Sequence, residues 1–95
     1  MNIGLDYDNT YTRDPKLWDA FIRESRLRGH KVYIVTMRYD NDVEDFEVKT
    51  ALDGKTDGLF FTCRMGKRTF MYDCGIRIDV WIDDQPDFII MDAKG

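Results

Sequence analysis

The sequence predicts an α/β fold: a sandwich of parallel βαβ units forming one domain over residues 1–95. Three observations lead there. Short apolar runs rich in β-branched residues alternate with segments of helical periodicity. The helical segments carry start and stop residues of suitable chemistry. Acidic and hydroxyl residues gather at the carboxyl ends of the apolar runs, where sheets of this kind bind ligands.

Residues 2–6 read as a buried first strand. After the turn DYDNTYTR, Asp14 and Pro15 form a helix start, a side-chain cap followed by proline at the first helical position. Leu17, Trp18, Phe21, Ile22 and Leu27 then recur at helical spacing until Gly29. KVYIVT, 31–36, is a second strand. A helix from about Val43 to Leu52 follows, with Asn41 and Glu44 spaced as a capping box and Gly54 just past its end, although EDFEVKT also fits an exposed strand. DGLFFT, 57–62, predicts a third strand, 65–75 a helix ending at Gly75, and RIDVWID, 77–83, a fourth strand. DFIIMD, after Pro86, predicts a fifth.

The composition narrows the function classes. A hydrophobic share of 43% with 34% charged residues fits a soluble globular chain. The longest apolar runs, VYIV and FIIM, are four residues, far below a bilayer span, and no basic-then-apolar leader is visible, so the expected setting is cytoplasmic, without a membrane partner. Cys63 and Cys74 lack the CxxC spacing of redox or zinc sites and read as reduced, partly buried thiols. His30, just past a helix end, reads as solvated or capping. The net charge of -4 speaks against nonspecific nucleic-acid binding. Fifteen of the 18 acids are Asp, which favours caps, turns and metal sites over helix interiors.

Six polar residues fall on one sheet edge. Asp6 and Asp8 follow strand one, Thr36 ends strand two, Lys67 opens the helix before strand four, and Asp83 and Asp84 end strand four. Crowded carboxylates cost free energy unless a cation or shared proton relieves them. An oxygen-only site of this kind suits Mg2+, which keeps water and phosphate among its ligands. With phosphate present, one aspartate can attack as nucleophile and a second can protonate the leaving oxygen and then deprotonate water. Thr36 offers a hydroxyl and Lys67 a fixed positive charge for the phosphoryl oxygens.

These residues resemble the haloacid dehalogenase superfamily of phosphohydrolases. LDYDNT is similar to its first motif, DxDx[TV], the threonine of IVTMR to its second, Lys67 to its third and IDD to its fourth, in order from residue 3 to residue 84. The resemblance implies a three-layer Rossmann-like sandwich with a mostly parallel sheet of about five strands. It implies a magnesium-dependent phosphatase working through an aspartyl phosphate, with Asp6 as nucleophile and Asp8 as general acid and base. Asp83 would be the principal metal ligand, Asp84 a ligand directly or through water, and Asp6 and Asp8 would complete the metal set, the latter through its backbone carbonyl. Thr36 and Lys67 would bind the phosphoryl group, joined on the substrate side by Arg38 and Asn9.

Asn9 stands where the family often has glycine. About eight residues separate Asp6 from Asp14, which leaves no room for a cap domain, so the chain resembles the smallest, capless members. An open site leaves water exclusion to the substrate or to a neighbouring subunit, and a homo-oligomer fits that need. Lys67 is preferred over Arg64, Arg68 and Lys55 for the third motif because it opens the helix leading to strand four. Arg38 reads equally as a substrate contact or a solvated loop arginine, and the group Arg64, Lys67 and Arg68 as an anion-attracting patch or plain surface. Trp18, Phe60, Phe61 and Trp81 read as core, while Tyr7 and Tyr11 could stack on a base or sugar. The expected substrate is a nucleotide or other small phosphomonoester. The alternatives are a phosphate on a nucleic-acid 3′ end or a protein, and a phosphate-binding regulatory module without turnover. A receiver domain fits poorly, since strand three ends in Thr62 and Cys63 and not in an aspartate.

Overall fold

The computed structural model describes residues 1–94. Its strands are β1 (Asn2–Leu5), β2 (Lys31–Thr36), β3 (Gly58–Phe61) and β4 (Val80–Ile82). Its α-helices are α1 (Pro15–Leu27), α2 (Phe46–Leu52), α3 (Lys67–Asp73) and α4 (Asp87–Ile90), with a short 3-10 turn at Tyr11–Arg13. The four strands are parallel in the order β3-β2-β1-β4. The chain steps from β1 outward to β2 and β3, then crosses back to place β4 on the other side of β1. The order therefore reverses beside β1, and the crevice beyond the carboxyl ends of β1 and β4 is the switch point at which such sheets bind ligands.

The register explains the packing. Ile3, Leu5, Val32 and Ile34 face one side, where they join Ile22 of α1 and Val48 and Leu52 of α2. Tyr33 and Val35 face the other, with Met71 of α3 and the flanking Phe60, Phe70 and Trp81. Gly4 lies between Tyr33 and Trp81 on this second side. A Cβ there would stand 2.8 Å from the Trp81 ring, so the close approach of β4 requires glycine.

Several boundaries follow their chemistry. Asp14 accepts the Leu17 amide at 3.2 Å, Pro15 opens α1, and Gly29 terminates it at φ 87. Within α1, however, Leu17 and Leu27 are exposed, and the buried stripe narrows to Trp18, Phe21, Ile22 and Ser25. EDFEVKT is not a strand, and α2 begins at Phe46, later than Val43. The Asn41 side chain accepts from the amides of Val43 and Glu44, at 3.0 and 2.8 Å, and winds residues 41–45 into a turn first. Glu44 does not return to close a capping box, because its carboxylate is held by Arg64 at 3.3 Å.

The fifth strand is absent among the described residues, and DFIIMD carries α4 instead. Its turns start at once: Gln85 N–H bonds to Asp83, Phe88 N–H to the Gln85 carbonyl and Ile89 N–H to that of Pro86. Proline at the helix start removes no needed donor, and four residues between β4 and α4 are too few for a parallel crossover. Cys63 and Cys74 are both free and exposed, not partly buried. None of the described helices is long and apolar enough to cross a membrane.

Candidate active site

Asp6 is the first residue past β1, and its amide extends the ladder to β4 by donating to the Ile82 carbonyl at 2.9 Å. That bond fixes where its carboxylate points. Lys67 Nζ donates to Asp6 Oδ1 at 2.7 Å and to Asp83 Oδ2 at 2.6 Å, and its side chain is 4% exposed. Lys67 is thus the basic residue that reaches these acids. Lys55 is instead engaged with Asp19, and Arg64 with Glu44 and the Met37 carbonyl.

The loop that presents Lys67 is unusual. Cys63 and Arg64 both adopt left-handed backbone, at φ 55 and 71, a conformation that side chains disfavour. Their amides bond to the carbonyls of Arg38 and Met37, which knits the loop after β3 to the loop after β2. Gly66 follows, its amide bound by the Asp92 side chain at 2.7 Å. A Cβ on Gly66 would meet the Ile90 carbonyl at 2.6 Å, so the C-terminal turn closes over the loop only because residue 66 is glycine.

Asp6, Asp83 and Asp84 each place a carboxylate oxygen within 4.8 Å of the others. Two of these three carboxylates share one ammonium. Asp6 is 7% exposed, and burial, aided by a hydrogen bond to Asp84 and opposed by Lys67, pushes its carboxyl from 3.8 up to about 7. Thr10 is a residue to which the sequence reading gave no role. Its hydroxyl lies 2.9 Å from Asp6 Oδ2 and 3.4 Å from Asp84 Oδ1, spanning both acids. It is the last position of the DxDx[TV] pattern, so the signal was present.

The other expected residues divide. Thr36 ends β2 and is 1% exposed, with its hydroxyl accepting the Arg38 amide at 3.4 Å. Asn9 turns the chain at φ 61 and lines the cleft. The Asp8 carboxylate stands apart from the three clustered acids, in a two-pronged pair with Arg38: Nε to Oδ2 at 3.0 Å and Nη2 to Oδ1 at 2.8 Å. Tyr7 and Tyr11 do not offer a stacking platform. They are 3% and 4% exposed and stack on each other with ring centroids 5.7 Å apart, and the Tyr11 hydroxyl donates to Asp19. Arg68 lies outside the cleft.

These residues line a cleft of about 360 Å³ at the switch point, with Asp6, Asp8, Thr36, Lys67, Asp83 and Asp84 all on its wall. A larger cavity, about 720 Å³, opens at the opposite end of the strands, around Arg23, Arg26, His30 and Lys31. It is not where the acids converge. No family model, curated protein or solved structure matches this chain.

Proposed function

We propose that this chain is a phosphomonoester hydrolase of the haloacid dehalogenase type, taking a nucleotide or another small phosphomonoester. The observation that carries the reading is the Asp6–Lys67–Asp83 arrangement at the switch point, with Asp84 and Thr36 on the same wall. A cleft of about 360 Å³ lies at the small end of ligand sites, which suits a phosphoryl group with a modest leaving group. The two apolar clusters are taken as the inner faces of a three-layer sandwich without a cap.

Asp6 Oδ attacks phosphorus, the bond from phosphorus to the leaving oxygen breaks, and Asp8 supplies the proton that oxygen needs. Water then attacks the phosphorus of the acyl phosphate, Asp8 recovers a proton from it, and phosphate departs as the Asp6 carboxylate is restored. Lys67 balances charge on the transferring group and Thr36 contributes its hydroxyl. Asp6, Asp83 and Asp84 form an oxygen-only donor set with more negative charge than Lys67 neutralises, which fits a hard divalent cation such as Mg2+. A bound Mg2+ supplies charge that favours the ionised acids and steadies phosphoryl oxygens.

The test is a screen of the purified protein with magnesium against phosphorylated metabolites, a phosphopeptide and a 3′-phosphorylated oligonucleotide. Phosphate release from a small ester, abolished in Asp6→Asn, is the expected result. Release confined to the peptide or oligonucleotide would shift the substrate class. Binding of phosphate without turnover on the whole panel would instead define a regulatory module.

A further inference from the structure

Arg38 lines the cleft, where its guanidinium would ordinarily be assigned to the substrate's phosphate. Its donors are already committed. Nε and Nη2 grip the two oxygens of Asp8, Nη2 also reaches Glu47 Oε2 at 3.1 Å, and Nη1 donates to the Glu44 carbonyl at 2.8 Å. Four of the five N–H groups such a side chain offers are in use, and two carboxylates offset its charge. The plane is fixed as well, with Cζ 5.1 Å from the centroid of the buried Tyr7 ring, and the side chain is 18% exposed. These contacts join the Asp6–Asp8 turn, the loop after β2 and the first turn of α2.

The geometry points to Arg38 as a positioning residue for Asp8 and not a ligand of the phosphoryl group. Resting on the hydrolase reading, the assignment gives Asp8 a defined place on the cleft wall, outside the Asp6, Asp83 and Asp84 cluster, from which it serves the leaving oxygen. Glu47 in the first turn of α2 and the Glu44 carbonyl in the turn before it hold the guanidinium so that its fork meets both Asp8 oxygens. A lysine would carry the charge without the fork.

The experiment is a double-mutant cycle of Asp8→Asn with Arg38→Lys, read twice on the full chain: in turnover and in thermal melts without substrate. Arg38→Lys keeps the cation and guards against loss of folding, and Arg38→Gln repeats the cycle without it. The expected kinetic result is a kcat on an alkyl phosphate reduced roughly tenfold to a hundredfold with KM nearly unchanged. The loss should be smaller on nitrophenyl phosphate, whose leaving group needs no proton, and there should be no further loss when Arg38→Lys is added to Asp8→Asn. A raised KM at intact kcat, or losses that multiply in the double variant, would overturn the positioning role and return Arg38 to the substrate. If the wild-type protein hydrolyses no phosphate ester, the hydrolase reading falls and the melts decide the pairing alone. Destabilisations that fail to add uphold Arg38 as the clamp on Asp8, and destabilisations that add overturn it.

Discussion

Raising the pH in EDTA should destabilise this protein through one residue, Asp6. Its carboxyl titrates at about 7 in the folded chain, against an ordinary 3.8, because burial and the neighbouring Asp84 outweigh Lys67. Between those two values the folded state keeps a proton that the unfolded state has released. The stability that proton confers is complete below about pH 4, declines as the pH rises, and is gone once the pH passes about 7. At about 1.4 kcal/mol per pH unit, the span corresponds to on the order of 4 kcal/mol. For a domain of this size that is a fall in melting temperature on the order of 20 °C. Asp6→Asn isolates the effect, since the amide keeps the shape and can still accept from Lys67 but does not ionise. The assay is a series of melts in EDTA from about pH 5 to pH 8 on both proteins. Wild type should lose stability relative to Asp6→Asn across the series, with the difference levelling off above about pH 7. Parallel curves for the two proteins would refute the argument that Asp6 is the strained acid.

Asp84→Asn should raise the melting temperature in EDTA above about pH 7, where Asp6 is ionised, and blunt the response to magnesium. The acid is exposed, and its hydrogen-bond partner, the Thr10 hydroxyl, is distant at 3.4 Å, so repulsion is relieved at little cost. In wild type, magnesium at a hundredfold excess over its dissociation constant should add about 2.7 kcal/mol, and a melt indifferent to millimolar magnesium would remove the metal site. Lys67→Ala should lower turnover by roughly a hundredfold or more, whereas Arg68→Ala, outside the cleft, should leave it near wild type. The reverse pattern in phosphate release would show that the third motif is misplaced. Gly66→Ala should cost about 1–3 kcal/mol in a denaturant titration, since the Ile90 carbonyl must move away from the new methyl group, and it should depress turnover through the adjacent Lys67.

The parallel strands were legible because each buried run is bounded by turn chemistry, and the cap at Asp14 and the stop at Gly29 were readable from single residues. The six polar residues of the candidate site were legible for the same reason: a parallel register brings every strand's carboxyl end to one edge, so sequence position translates directly into place. What failed depended on competition between local and distant partners. FIIM is as apolar as a strand, yet Pro86 and the Asp83 side chain start a turn before any strand can pair. Glu44 had the spacing of a capping box and was taken by Arg64, twenty residues away in sequence. Tyr7 and Tyr11 flank the acids in sequence, but their rings turn inward to each other and the core. The pairing of Asp8 with Arg38 joins residues thirty positions apart and has no local signature.

The central claim, that Asp6 attacks phosphorus, is tested most directly by trapping its product. Wild-type protein is mixed with magnesium and an active substrate, quenched, treated with borohydride, digested and read by peptide mass spectrometry. Reduction converts an aspartyl phosphate to homoserine, and the account predicts homoserine at position 6, with none in the absence of substrate and none in Asp6→Asn. Steady release of phosphate with an unmodified Asp6 peptide, or with homoserine at Asp8, Asp83 or Asp84 instead, would contradict it.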